Sequence, residues 1–417
     1  MKNLLPHVVI ADDITGAAEI AGIAFDSGLQ VRLQCAGSAS ASVGSVRASA
    51  GQVCGCFAAT NVDAGAITVI ATDTRSMSEG EAAEETLRIA SLLPPPSTIT
   101  PSSSTTASPS SLSAAPSPSL LLFKKTDSAL RGHVVAELTA LMERTGYCRA
   151  VYLPANPSKG RIIRGGIYYI KVKDAEDQMT EKPIAETDFS FDPEFPARTS
   201  ALRERFPDAE EKGIIMPDAE SMDDIRRIVD AYNDGSTLFA GAADLFKVLC
   251  DITQHPTPIT QHPSPNTHHP TPITQHPSTL ILCGSTQSRQ LDLGIPVAPM
   301  PREVYDGGSD LAVWDTAQYS AHHSLILSIP YTHRTGKETA VHLRGMMARK
   351  AQELISIHRP GHLVIEGGAT AWTTLQLLGW TQFSITRQVA PGVVQMSATN
   401  GTLVTLKPGS YPWGNLF

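Results

Sequence analysis

Four clusters of charged and hydroxyl residues in the first half of the sequence each follow a short apolar run. HVVIA (7–11) leads into Asp12, Asp13, Thr15 and Gly16, and ITVIA (67–71) into Thr72, Asp73, Thr74, Arg75 and Ser76. LLLF (120–123) leads into Lys124, Lys125, Thr126, Asp127, Ser128 and Arg131, and RAVYL (149–153) into Pro154, Asn156, Ser158, Lys159, Gly160 and Arg161. Guanidinium and ammonium groups at this density suit an anionic ligand, because they form charge-assisted hydrogen bonds to carboxylate or phosphate. The aspartates among them can handle protons or metal. Each residue also has a plainer reading. Asp12 would cap a helix beginning near Ile14, and Asp127 one beginning near Ser128. Arg75 and Arg131 would be solvated, and Lys124 with Lys125 an ordinary charged pair. The recurrence at four strand ends favours chemistry.

The second half carries glycines in the same position. TLILC (279–283) leads to Gly284, Ser285 and Thr286; HLVI (362–365) to Glu366, Gly367, Gly368, Ala369 and Thr370; TLVTL (402–406) to Lys407, Pro408, Gly409 and Ser410. Glycine lets backbone N–H groups approach phosphate, and a helix N-terminus favours an anion. Neither G-x-x-x-x-G-K-[ST] nor G-x-G-x-x-G occurs in a strand–helix setting.

The elements that must hold these clusters alternate. Further strand-like runs lie at 213–216, 237–240 and 325–329, and helical patterns at 133–145, 338–357 and 369–378. Ser221 with Asp224 opens another helix as a capping-box variant. Alternation with continuously apolar strands predicts an α/β protein of two domains, each a mainly parallel sheet covered by helices. Ligands of such sheets bind beyond the carboxyl ends of the strands. The active site is expected in the cleft between the domains.

Low-complexity stretches divide the chain. Residues 94–119 are almost all Pro, Ser, Thr and Ala; residues 252–278 repeat ITQHP-like units with His255, His262, His268, His269 and His276. Neither can bury an apolar face. The histidine tract reads as a metal ligand set or as an expanded linker. The expected division is residues 1–250 (interrupted by 94–119), a 251–278 linker, and residues 279–417.

Composition bounds the function. The 417 residues carry a net charge of −8 and are 41% hydrophobic. Two cores can be filled. A general nucleic-acid binder needs a basic surface, so that class is excluded. The six cysteines are scattered, with only Cys54 and Cys56 close, and C-x-C alone is no zinc signature. Reduced thiols, a short apolar N-terminal run and no apolar stretch of about 18 residues point to a cytoplasmic protein without a membrane span.

IADDITGAAEIAG (10–22), DTRS (73–76), KKTDSALRGH (124–133), LPANPSKGR (153–161) and PIAETDFSFDPEFPARTS (183–200) together resemble the four-carbon acid sugar kinase family. CGST (283–286), EGGATA (366–371), APGV (390–393) and KPGS (407–410) continue the resemblance in family order. It implies an ATP-dependent kinase acting on the terminal hydroxyl of threonate, erythronate or 3-oxo-tetronate, with an N-terminal substrate domain and a C-terminal nucleotide domain. Carried onto this sequence, it puts the sugar acid near Asp12, Asp13, Arg75, Lys125, Asp127, Ser128 and Arg131. ATP falls near Ser285, Gly367, Gly368, Ala369, Thr370 and Gly409. Ala369 departs from the family's Asp or Glu, and Glu366 from its small or hydroxyl residue.

On that resemblance, Arg75 and Arg131 hold the substrate carboxylate, Lys125 faces the transferred phosphoryl group, and Asp127 or Asp12 accepts the hydroxyl proton. Mg²⁺ bridges the ATP phosphates, with Asp13 ordering its waters, and no dedicated protein metal site is assigned. The expected partners are the acid and ATP, with a homo-oligomer left open. Two rivals stand beside the kinase: a non-catalytic sugar-acid binding protein, which Ala369 motivates, and an oxidoreductase, which the missing dinucleotide fingerprint disfavours.

Overall fold

The computed structural model describes residues 7–37, 66–93, 121–173, 178–192, 195–253, 278–284, 293–334, 336–409, 411 and 413. The two low-complexity stretches, apart from residues 252, 253 and 278, lie outside them, as do Cys54, Cys56 and Ser285. Contacts divide the chain into two units. The first takes Met1–Ile10, Ala39–Ile67 and Thr74–Thr253; the second takes Ala11–Ser38, Thr68–Asp73 and Gln254–Phe417. This differs from the sequential boundary at residue 250, because the second unit draws two segments from the first half of the chain.

In the first unit, four parallel strands lie in the order Leu122–Lys125, Thr237–Gly241, Arg149–Leu153 and Ile214–Ile215. Their apolar residues are nearly all inaccessible, as expected of strands covered on both faces. Helices Glu79–Leu92 and Val134–Thr145 pack together. The first is opened by a capping box, Ser78 with Glu81. The Ser221–Asp224 box likewise opens Met222–Tyr232.

A three-stranded antiparallel sheet, Arg161–Arg164, Ile167–Lys173 and Met179–Pro183, is an element the sequence reading did not contain. Its first turn is Gly165–Gly166, both with positive φ, and Asp218 accepts both of their N–H groups at 2.6 and 2.8 Å.

In the second unit, five strands run parallel in the order Val297–Pro299, Ser324–Ser328, Thr279–Cys283, His362–Glu366 and Leu403–Lys407. The sheet then continues antiparallel through Val393–Ala398, Gln382–Ala390 and Gln30–Cys35. The sheet is thus mainly parallel, as expected, with an antiparallel extension on one side. Gln30–Cys35 alternates exposed and buried residues, the pattern of a strand packed on one face only. Helix Ile14–Asp26 packs on this antiparallel part and on helix Gly368–Leu378.

Cys35, Cys148, Cys250 and Cys283 are free thiols. Among the described residues, no helix is long and apolar enough to cross a membrane.

Candidate functional site

Two sets of residues gather at strand ends, one in each unit. In the first unit, Asp127 organises a group of guanidinium ions. Arg131 donates to it twice, Nε to Oδ2 at 2.9 Å and Nη2 to Oδ1 at 3.0 Å. Arg75 Nη2 stands 3.7 Å from Oδ1. The Ala129 N–H also donates to Oδ2, at 2.9 Å. No helix starts at Ser128: Leu130 has φ 63° and Gly132 φ 97°, and the helix begins at Val134. Asp127 therefore closes a tight turn and tethers an arginine, which corrects the N-cap reading.

Burial by itself would raise the Asp127 carboxyl. The charges of Arg131 and Arg75, with a smaller contribution from Arg161, outweigh burial and hold the carboxyl well below the usual carboxylate range.

Arg161 joins the group by donating from Nη1 to Ser128 Oγ, and its guanidinium lies 5.6 Å from the Phe189 ring centroid. Tyr168 holds the Ser128 carbonyl, and its hydroxyl also donates to Pro154 O at 3.2 Å. Asp192 stands 3.5 Å from Arg131 Nη1. Three guanidinium ions thus gather around the Asp127 carboxylate, and an anionic ligand matches such a cationic cluster. Arg161 was read only as part of a polar cluster. Its neighbours Asn156 and Ser158 are occupied in shaping the loop, with Asp244 taking the Ser158 N–H and hydroxyl at 2.8 Å each.

The lysines divide. The sequence ended the strand at residue 123, whereas both Lys124 and Lys125 belong to it. Lys124 is fully buried and donates to Glu137 Oε2, which also accepts from Thr74 Oγ1 at 2.9 Å and Thr86 Oγ1 at 3.2 Å. Lys124 is therefore structural, and its partner Glu137 anchors the turn Thr74–Ser76 that carries Arg75. Lys125, at the strand's end, donates to Thr126 O at 3.0 Å.

In the second unit, the helix cap is Asp13 and not Asp12. The helix starts at Ile14, and Gly16 N donates to Asp13 Oδ1 at 2.7 Å, while Thr15 Oγ1 donates to Oδ2 at 2.7 Å. Asp12 is buried at the strand end. Asp13 and Thr15 lie against the glycine turn: a Cβ on Gly368 would sit 3.2 Å from Thr15 Cγ2 and 3.3 Å from Asp13 Oδ2. Gly367 has φ 95°, a left-handed conformation that suits glycine, and helix Gly368–Leu378 starts directly after it.

Thr370 packs on Gly284 so closely that a Cβ there would meet Oγ1 at 2.1 Å. Backbone bonds tie the strand ends together, Gly367 N to Lys407 O at 2.9 Å and Gly284 N to Glu366 O at 3.3 Å. Ala369 is exposed in the first turn of the helix. Gly409 follows Lys407, whose Nζ donates to the Gly409 carbonyl at 3.2 Å.

The turn leaves the first backbone N–H groups of the helix at its N-terminus, an arrangement that favours an anion. Among the described residues no group of three or more His, Cys, Asp or Glu could hold a metal ion. Mg²⁺ in phosphoryl transfer is bound through one or two carboxylates and the nucleotide's own phosphates. Asp13, beside Gly368, supplies a carboxylate that fits this role.

Family models match both parts of the chain: a sugar-binding N-terminal domain over residues 7–212 and a nucleotide-binding C-terminal domain over residues 302–411. A D-threonate kinase of Salmonella typhimurium is 34% identical over 88 residues, 21% of this chain and 19% of that enzyme's length. Two crystal structures share the fold. The Haemophilus influenzae protein HI1011, assigned to family DUF1537, has a TM-score of 0.57 at 19% identity, covering 97% of each chain. A Salmonella typhimurium LT2 protein described as a candidate tRNA synthase has a TM-score of 0.60 at 17% identity, covering 98% of this chain and 96% of its own.

Proposed function

Because the chain belongs to the four-carbon acid sugar kinase family, we propose that it transfers the terminal phosphoryl group of ATP to the terminal hydroxyl of threonate, erythronate or 3-oxo-tetronate. The observation that carries this reading is the cationic cluster around Asp127, where Arg75, Arg131 and Arg161 gather. A carboxylate would sit across Arg75 and Arg161, with Arg131 held in place by Asp127.

Phosphoryl transfer requires mainly positioning and charge neutralisation. Mg²⁺ bound with ATP would neutralise phosphate charge. Asp13 would order its waters, and the N–H groups at 368–370 would hold the phosphates. Lys125 would face the phosphoryl group as it moves. Asp127 is a weak base, because its protonated form is strongly disfavoured. Asp12 is therefore assigned the hydroxyl proton, and Asp127 the arginines.

The test is ADP release from ATP and Mg²⁺ with each four-carbon aldonic or 3-oxo acid, against the corresponding neutral tetrols. Turnover with at least one acid and none with tetrols is expected. Binding of an acid without ADP release would favour the non-catalytic alternative. Failure with every acid at stoichiometric enzyme would overturn both the substrate class and the kinase assignment.

A further inference from the structure

Lys407 stands two residues before Gly409, and all of its hydrogen-bonding capacity is consumed by the protein. An ammonium group has three N–H donors and no acceptor. Lys407 Nζ donates to Glu366 Oε1 at 2.5 Å, to Pro408 O at 3.0 Å and to Gly409 O at 3.2 Å. The ring of Trp413 covers it, with the centroid 4.9 Å away. Glu366 and Lys407 are register neighbours on adjacent parallel strands and are 0% and 2% exposed. Glu366 stands directly before Gly367, and Lys407 directly before Pro408 and Gly409. The pair therefore links the two turns that lie beyond these strands.

Stability does not account for this pair. A buried ion pair gains little over apolar residues of the same size. Here the cost is larger, because Glu366 Oε2 is buried with no hydrogen-bond partner.

We propose that Glu366 and Lys407 are positioning residues for the nucleotide: a buried brace that fixes the 408–409 turn beside the 367–370 turn and leaves the phosphates to backbone N–H groups. The proposal rests on the nucleotide reading of these turns. It differs from the obvious assignment of Lys407 as a phosphate ligand, and the two give opposite signs when the brace is loosened without changing net charge.

Two charge-conserving variants test it. Glu366→Leu combined with Lys407→Met replaces the pair by apolar side chains of similar size. Glu366→Asp keeps the charge and withdraws the carboxylate by one methylene. Melting temperature, ATP and ADP dissociation constants by calorimetry, and KM for ATP and for the acid are measured on each.

The double variant is expected to melt near the parent and to bind ATP and ADP equally more weakly, by about tenfold or more, with the acid's KM unchanged. Glu366→Asp is expected to weaken both nucleotides as well. If the double variant fails to fold, Glu366→Asp decides alone. Tighter ATP binding by Glu366→Asp would mean that the carboxylate had withheld a phosphate ligand, which overturns the proposal. So would parental nucleotide affinity in the double variant. A parent that binds neither ATP nor ADP would remove the nucleotide reading itself, and the brace with it.

Discussion

Asp127 and Arg131 are joined by two hydrogen bonds in parallel, and the same carboxylate closes the turn that carries Arg131 by accepting the Ala129 N–H. One side chain thus fixes both the turn and the cation. This arrangement separates two roles that the sequence left together. If Asp127 anchors and Asp12 accepts the proton, Asp127→Asn raises the acid's KM while kcat falls by less than about tenfold. Asp12→Asn lowers kcat by about 10²–10⁴-fold with KM little changed. Steady-state kinetics on both variants, with circular dichroism to check the fold, decides it. The reverse pattern would return base catalysis to Asp127.

Arg75 stands 3.7 Å from the same carboxylate that holds Arg131, which places its guanidinium in the cationic cluster proposed for the acid. Lysine keeps the charge but not the planar fork. Arg75→Lys is expected to raise the acid's KM by about 10- to 100-fold, the worth of a charged hydrogen bond, while KM for ATP stays put. Equal losses in both KM values would show that Arg75 supports the fold and does not bind the acid.

Glu137 was read from the sequence only as a position within an amphipathic helix. In the structure its carboxylate pairs with Lys124, and it receives two threonine hydroxyls as well. Glu137→Gln leaves the fully buried Lys124 without its counter-charge. Urea unfolding is expected to show a loss of about 3–5 kcal/mol. A loss below about 1 kcal/mol would mean that Lys124 finds another partner or reaches water.

His362 makes stability depend on pH. Burial, aided by the charge of Arg387, lowers its pKa from 6.5 to about 4, while its Nε2 pairs with Thr405 Oγ1 at 2.8 Å. Between those two values the unfolded chain binds more protons than the folded one, so stability is lost as pH falls from 6.5 toward 4. The full effect is about 3 kcal/mol at the lower end. His362→Gln should flatten this part of the stability–pH curve, measured by chemical denaturation at several pH values. An unchanged slope would place the titrating group elsewhere.

Much of the fold was legible because buried parallel strands are uninterrupted apolar runs: Arg149–Leu153 and Thr279–Cys283 match their predicted limits residue for residue. The small antiparallel sheet was not, since Ile167–Lys173 mixes apolar residues with Lys171 and Lys173, and its pairing depends on a turn held by the distant Asp218. Lys124 hid the true strand end. Its charge reads as a stop signal in sequence, but Glu137, thirteen residues on, lets it stay in the core. The strand-end clusters were visible as composition, whereas their internal division was not. Which aspartate caps and which tethers depends on where the helix starts and where a left-handed residue such as Leu130 bends the chain.

The composition of the second unit has a consequence for biosynthesis. Strand Gln30–Cys35 pairs with Gln382–Ala390, and helix Ile14–Asp26 packs against the same region. A ribosome adds roughly 5–20 residues per second, so the early strand waits on the order of 20–70 s for its partner to be made. Throughout that interval one edge of the strand lacks its partner, and helix Ile14–Asp26 lacks part of the surface it packs on. The nascent chain is therefore a natural client for chaperones that bind early and release late. A fragment covering only residues 279–417 would also be made without the strand that completes its sheet.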